Sequence, residues 1–368
     1  MRIAYLTDAL FPLQMGGMAK YARFHMETLR ERDALIDVFA SAPASGHPEI
    51  AGVQWISWPG SAAFPGHYVR ENRRFSEEIG ARLADGTYDV IFAHGLTAMS
   101  LKEPKCPLIV HPHGLESFQL GSGILSRLQL LPLRRAFTQL LLRADGIVSF
   151  GEFFDRILVQ EIGVRAEVLL RLGNAVSPAF LSPVSGSSDR GIPRSTFRFL
   201  FVGRDEPRKG LDLFLRAAIK IPTAEFCVVG HHPVQEKSSL RNVRFLGEIR
   251  EERALRSVYS QVDALVLPSR AEGFPTVVLE GMASALTIVA ARVGVIPDLA
   301  QQAQVFTFEK DDLTGLIESL EKVSQMSAGD RQAIGEKNRS LVLAKYCWDR
   351  VADDTLNGIQ ELVKRARP

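Results

Sequence analysis

The chain has 368 residues, 46% hydrophobic and 23% charged, with 44 Lys and Arg against 42 Asp and Glu for a net charge of +2. That length favours two domains, each able to bury its own core, and the composition excludes disordered and fibrous classes. The balanced charge leaves no field for holding nucleic acid by phosphate neutralisation. Cys106, Cys227 and Cys347 are too far apart for a C-x-x-C metal pattern, and three thiols cannot close a disulfide framework, so a reducing, cytoplasmic setting is expected.

In chain order, Arg2-Ile3-Ala4-Tyr5-Leu6 reads as a first strand that breaks at Asp8, with no small-residue cleavage site of a signal peptide. Further short apolar runs predict strands at 36–39, 89–93, 108–111, 146–149 and 167–170. Helical patterns fall between them at 18–32, 69–84, 124–143 and 153–161. Alternating β and α predicts a parallel sheet with crossover helices. A stretch rich in Gly, Ser and Pro then forms a linker at 182–196. The alternation restarts with strands at 197–202, 225–229, 243–246, 264–267, 287–290 and 304–306, and an amphipathic helix closes the chain. The expected fold is therefore α/β, two Rossmann-like parallel-sheet domains facing across a cleft. Their bounds are 1–181 and 197–346, with the terminal helix, 347–368, packing back on the first domain. No apolar stretch approaches a membrane span, so any membrane contact is expected to be peripheral, at the inner face. A basic edge on 125–143 fits either anionic lipid or a solvated crossover helix.

The densest signal is Glu272-Gly273-Phe274-Pro275-Thr276-Val277-Val278-Leu279-Glu280, directly after the apolar run Ala264-Leu265-Val266-Leu267. One carboxylate on the loop and a second on the following helix can accept sugar hydroxyls, while amides at the helix start receive an anion. Earlier, a strand leaves at Gly203-Arg204 and Lys209-Gly210 opens a helix. An Arg and a Lys at a sheet's carboxyl edge can clamp a diphosphate and stabilise it as a leaving group. In the first half, Gly16-Gly17 precedes a helix, as a plain tight turn or as amides approaching a phosphate or acceptor hydroxyl. His94, His111 and His113 follow two strand ends, but no acidic or cysteine ligand lies at a zinc spacing nearby, and no metal is expected.

With these residues the chain resembles a family-4 retaining glycosyltransferase of the GT-B class. The resemblance rests on Gly203-Arg204 to Lys209-Gly210, the E-x7-E pair Glu272 and Glu280 after Pro268-Ser269, and Asn242 to Gly247. Weaker echoes are Gly16-Gly17, His113-Gly114, Ala144 to Ser149 and Asn174. It implies that Arg204 and Lys209 bind the diphosphate of a nucleotide sugar of UDP or GDP type, Glu280 the ribose and Glu272 the transferred sugar. Gly203 and the segment Phe274, Pro275, Thr276 and Val277 would meet the same donor, although Pro275 has no amide to give. His113 would contact the donor sugar near its reacting carbon. No cofactor beyond the sugar nucleotide is implied, and without a D-x-D sequence the two cations stand in for a divalent metal. The acceptor is expected to be a saccharide or lipid-linked hydroxyl in cell-surface polysaccharide or glycolipid synthesis. A sugar-nucleotide epimerase and a catalytically silent sugar-nucleotide-binding protein remain alternatives. Two departures stand out: Ala285 and Thr287 replace a common glycine and proline, and Gly294 lacks a second glycine beside it. Ala285 resists positive φ, which predicts an altered turn there.

Overall fold

A computed structural model describes residues 1–8, 16–40, 53–57, 67–85, 87–120, 124–182, 196–233 and 240–366, with 53–57, 67, 84–85, 124–127 and 366 by backbone alone. The chain divides into two compact units, Met1–Asn174 with Trp348–Pro368, and Ala175–Cys347.

The first unit runs β1 (Arg2–Thr7), α1 (Gly17–Arg30), β2 (Leu35–Ala40), β3 (Val53–Ser57), α2 (His67–Asp85), β4 (Val90–His94), β5 (Leu108–His111), α3 (Glu116–Gln119), α4 (Ile124–Leu141), β6 (Gly146–Ser149), α5 (Glu152–Arg156) and β7 (Leu169–Arg171). Its described strands order as β3-β2-β1-β4-β5-β6-β7, each pair parallel. Buried Ile3, Tyr5, Val90, Phe92, Ile109 and Val148 belong to a core cluster on the sheet, which is why the strands read as continuous apolar runs. The order reverses between β1 and β4, and the loops leaving those strands mark the crevice position of a doubly wound sheet.

Three departures from the sequence reading have local causes. β3 was not expected, because five residues alternating Val53, Trp55 and Ser57 with Gln54 and Ile56 carry little periodic signal. The strand expected at 167–170 is a 3-10 turn over Ala166–Val168 followed by β7. The helix expected at 153–161 loosens after Arg156 into a π segment, Ile157–Ile162, and ends where Gly163 takes φ 87°.

The second unit contains β8 (Arg198–Val202), a 3-10 turn over Pro207–Lys209, α6 (Leu211–Lys220), β9 (Glu225–Val229), β10 (Val243–Phe245), α7 (Glu252–Ser260), β11 (Ala264–Leu267), α8 (Thr276–Ala283), β12 (Thr287–Ala291), α9 (Ile296–Gln302), β13 (Val305–Phe308), α10 (Leu313–Gln325) and α11 (Ala328–Lys345). The strands order as β10-β9-β8-β11-β12-β13. β8 and β11 are hydrogen-bonded neighbours, yet the chain leaves them in opposite directions across the sheet. Their following loops, 203–210 and 268–275, therefore flank the topological switch point. Residues 175–181, assigned to the first domain by sequence, cluster here: Val176 N–H donates to Tyr346 O at 3.0 Å and Ser177 Oγ to Glu252 at 2.7 Å. Of the linker, 183–195 lies outside the described residues.

The last helix, α12 (Trp348–Ala366), belongs to the first unit and packs on α1. His25 Nε2 lies 3.0 Å from Thr355 Oγ1, and Arg32 pairs with Asp349 at 3.0 Å and Asp353 at 2.5 Å.

Ala285 corrects an expectation. It adopts φ 53°, the conformation a glycine would supply, so the turn after α8 keeps its shape despite the side chain. The amides of Ala285 and Leu286 reach back to Met282 O at 2.9 Å and Gly281 O at 3.0 Å, satisfying carbonyls that the helix end leaves open.

Candidate active site

At the carboxyl end of β8 the chain passes Gly203 and Arg204 and tightens into the turn Pro207–Lys209, which Gly210 ends at φ 73°. Any side chain at Gly210 would strike the carbonyl oxygen of Pro268, so this glycine lets the first loop touch the loop after β11. Lys209 Nζ is thereby placed 2.7 Å from Glu272 Oε1. Ser269 Oγ donates to the same oxygen at 2.7 Å, and Arg208 approaches Glu272 Oε2 at 3.8 Å. Glu206 joins the set, accepting from Arg204 at 2.8 Å and from Arg208 at 2.7 Å.

Arg204, Glu206, Arg208, Glu272 and Lys209 thus form one contiguous network in which three cations face two carboxylates and leave one net positive charge. Glu272 is 5% exposed. Burial pushes its carboxyl up, but Lys209, then Arg208 and the hydroxyl of Ser269, outweigh that and hold it below the usual range. A cationic surface around an ionised carboxylate can take a diphosphate and a sugar hydroxyl together.

Glu280 sits in the second turn of α8 and is buried. Its Oε2 accepts from the buried hydroxyl of Tyr259, on α7, at 2.9 Å. Pro275 occupies the N-cap of α8, so Thr276 and Val277 open the helix with amides free of intrahelical acceptors by position. Phe274 is buried, its ring 5.4 Å from that of Tyr346. The backbone is fixed from the other side by Gly294, at φ 54°, where a side chain would strike the carbonyl oxygens of Glu272 and Gly273, and Val295 N–H donates to Gly273 O at 3.1 Å. A single glycine suffices here because Val295 takes an ordinary helical φ of −75°.

In the first unit Gly16 caps α1 at φ 142°, with Gly17 as first helical residue. His113, two residues beyond β5, has φ 59° and donates its backbone N–H to His111 Nδ1 at 3.1 Å. That bond leaves His111 the Nε2–H tautomer. His113 Nε2 lies 2.5 Å from His94 Nδ1, and the rings of His111 and His113 stack at 3.8 Å. Burial pushes His113 down to about 3, and burial with the neighbouring imidazoles holds His94 and His111 well below the usual histidine range. The trio is a neutral hydrogen-bonded stack, and among the described residues no group of His, Cys, Asp or Glu is arranged to hold a metal ion.

Arg208, Tyr259 and Arg270 were not singled out by sequence, and Ser269 was named only as part of the motif ahead of Glu272, with no role assigned to it. The run Glu206-Pro207-Arg208-Lys209 carried a signal for the first, since a 3-10 turn puts successive charges on one edge. Tyr259 carried none, being a single aromatic on an amphipathic helix. Asp8, at the carboxyl end of β1, was read only as the strand's end, although burial pushes its carboxyl to about 6. No helix among the described residues is long and apolar enough to cross a membrane.

Two family models match the sequence: one described as "Glycosyl transferase 4-like domain" over residues 16–175, and one described as "Glycosyl transferases group 1" over residues 196–325. A D-inositol 3-phosphate glycosyltransferase of Mycobacterium bovis is 25% identical, covering 96% of this chain and 82% of its own. Among solved structures, a sucrose-phosphate synthase from Thermosynechococcus elongatus superposes with a TM-score of 0.85 at 18% identity, over 99% of both chains. Anabaena Alr3699/HepE in complex with UDP and glucose superposes at 0.73 and 17% identity, over 97% of this chain and 99% of that one. These superpositions speak to the fold alone.

Proposed function

The chain belongs to the family-4 retaining glycosyltransferases of the GT-B fold, and from that premise we propose that its second unit binds the donor, a nucleotide diphosphate sugar, through the network around Glu272. Arg204 and Lys209 hold the diphosphate and stabilise the charge that builds on it as the sugar leaves. Glu280 takes the ribose hydroxyls, Glu272 the hydroxyls of the transferred sugar, and Gly203 with the amides of Phe274, Thr276 and Val277 completes the donor contacts. In the first unit, His113 serves as a contact to the donor sugar, and the Gly16-Gly17 amides receive a phosphate or an acceptor hydroxyl. The carrying observation is that the loops after β8 and β11, adjacent at the switch point, bring Lys209 within 2.7 Å of Glu272.

A retaining transfer needs no enzymic nucleophile here. The nucleotide diphosphate departs, the acceptor hydroxyl attacks the same face of an oxocarbenium-like sugar, and a diphosphate oxygen takes its proton. Three cations around the leaving group supply the charge stabilisation that a divalent metal supplies elsewhere. The acceptor is a saccharide or lipid-linked hydroxyl of cell-surface polysaccharide or glycolipid synthesis, reached in the cytoplasm or at the inner membrane face. HepE, crystallised with UDP and glucose, supports the donor class. Thermal-shift measurement with UDP, GDP and ADP and their sugars tests the reading, since a ligand at a hundred times its dissociation constant stabilises by about 2.7 kcal/mol. The absence of a shift with every nucleotide would refute it.

A further inference from the structure

Arg270 follows Ser269 in the loop after β11 and points away from Glu272 toward the start of α6. Its Nη1 and Nη2 grip both oxygens of Asp212, in the first turn of α6, at 2.8 Å each. Nη1 also donates to Pro207 O at 2.5 Å, and Nε donates to Asp311, beyond β13, at 2.6 Å. Its backbone N–H donates to Arg208 O at 2.7 Å, and Arg208 returns a bond to Ala271 O at 3.4 Å. Four of the five side-chain N–H groups of Arg270 are thus committed to protein oxygens, which leaves the guanidinium little to offer a ligand. What it does instead is tie together three loops at the carboxyl edge of one sheet. Pro207, Arg208 and Asp212 lie on either side of Lys209, so the residue is bracketed by contacts that converge on one side chain.

We propose that Arg270 is a positioning residue for the donor diphosphate: it pins the Pro207–Lys209 turn and the start of α6 to the loop carrying Glu272, and so fixes where Lys209 presents its ammonium. This rests on the reading that Lys209 binds that diphosphate. A lysine is a compact charge on a flexible stem, and the direction of that charge depends on the backbone holding it. Without Arg270 the lysine keeps its chemistry and loses its address. A displacement of about 1 Å in a binding group can cost up to roughly a hundredfold. A lysine at 270 can offer one ammonium, not a planar fork spanning Asp212, Pro207 O and Asp311, so Arg270→Lys does not restore function.

The experiment is calorimetric titration of the full chain with UMP and UDP, GMP and GDP, AMP and ADP. The quantity read is the preference for diphosphate over monophosphate on the base that binds. Lys209→Ala is expected to erase most of that preference. Arg270→Ala and Arg270→Lys are expected to reduce it about tenfold while the monophosphate constant moves less than about twofold, and Arg270→Ala in a Lys209→Ala background is expected to add nothing. Asp212→Asn breaks the same fork from its other end and should give a smaller loss in the same direction, which covers the case of Arg270→Ala failing to fold. Equal weakening of mono- and diphosphate in the Arg270 and Asp212 variants would mean a general structural role and overturn the proposal. Full diphosphate preference in those variants, with Lys209→Ala defective, overturns it while leaving the donor reading intact. Full preference in Lys209→Ala overturns the premise that Lys209 holds the diphosphate, and with it the proposal, whereas no binding of any nucleotide by the unmodified protein overturns the donor reading itself.

Discussion

Lys209 Nζ and Glu272 Oε1 meet at 2.7 Å although 63 residues separate them, and the carboxylate they share with Ser269 is 6% exposed at its side chain against 18% for the lysine. The same bond therefore serves two ends. It lets a carboxylate stay ionised in a dry site, and it holds a cation at the switch point where a diphosphate would arrive. Removing either partner leaves the other in an environment built for a pair.

Lys209→Ala and Arg204→Ala should consequently differ in stability while agreeing in activity. On the proposed donor reading each removes one charge-assisted contact to the leaving group, and each is expected to slow transfer by roughly a hundred- to a thousandfold, about 2.7 to 4 kcal/mol. Arg204 is 61% exposed beside Glu206, a surface pair worth about 0–1 kcal/mol, so its loss should leave unfolding unchanged within error. Lys209→Ala removes the nearest cation from the buried Glu272, which keeps the Ser269 hydroxyl and Arg208, and should cost up to about 3 kcal/mol, the low end for a buried pair. Adding Glu272→Gln should recover most of that stability and none of the activity. Transfer rates with chemical denaturation check both arms; a Lys209→Ala protein as stable as the parent would show that the pair is not the anchor of this loop.

Much of this was legible in the sequence, and the residues show why. Strands 108–111, 146–149, 225–229 and 264–267 coincide with β5, β6, β9 and β11 because both faces of a parallel sheet are covered and the runs are unbroken. Glu272, Glu280, Arg204 and Lys209 stood out as candidates because the E-x7-E spacing and the Gly203-Arg204 to Lys209-Gly210 segment follow directly on apolar strand runs. Arg208, Arg270 and Tyr259 did not. Their partners Glu206, Asp212, Asp311 and Glu280 are contributed by other loops or helices, or by a turn whose geometry periodicity does not specify. Ala285 shows the opposite limit: local φ preference predicted an altered turn, but the packing of α8 against α11 imposes the positive φ regardless.

Tyr259→Phe should blunt recognition of the ribose. The phenol is fully buried, burial and the Glu280 carboxylate keep it protonated, and it donates to Glu280 Oε2 at 2.9 Å. Deleting the hydroxyl leaves that carboxylate short of a donor, a cost of about 1–3 kcal/mol, and frees its orientation. The expected signature is a reduced preference for a nucleoside diphosphate over its 2′-deoxy counterpart, with Glu280→Ala losing the preference entirely. Competition binding with the two nucleotides decides it, and an unchanged ratio in Tyr259→Phe would sever the tyrosine from ribose recognition.

The first unit should lose stability in mild acid. His25 and His113 are pushed down to about 3 by burial, with His94 and His111 also lowered, whereas the same side chains in the unfolded chain titrate near 6.5. Below pH 6.5 the unfolded state therefore binds more protons than the folded one. Stability from this term is fully present above 6.5 and falls as pH drops from there toward 3, by about 1.4 kcal/mol per pH unit for each such histidine. Trp55, on β3, and Trp348, on α12, lie in this unit, so urea unfolding followed by tryptophan fluorescence reads it. A midpoint that does not move between pH 7 and pH 5 would mean that the imidazoles are not held neutral.

Ala285→Gly should make the protein more stable, although the position borders the candidate site. An alanine at φ 53° carries left-handed strain of roughly 1–2 kcal/mol, which glycine escapes. Glycine also adds freedom to the unfolded chain, an opposing effect of about 0.4–1 kcal/mol, so the expected net gain is on the order of 0.5–1 kcal/mol. For a domain of this size that corresponds to roughly 1–4 °C in Tm. The neighbouring Gly335→Ala should act in the opposite sense, since a side chain there runs into the carbonyl of Ala285 as α11 crosses the turn. Thermal unfolding of the two single variants separates backbone strain from crowding. Were Ala285→Gly to lower Tm, the methyl group would be contributing more by packing than it costs in strain, and the turn after α8 would have to be regarded as a packed alanine site and not as a strained one.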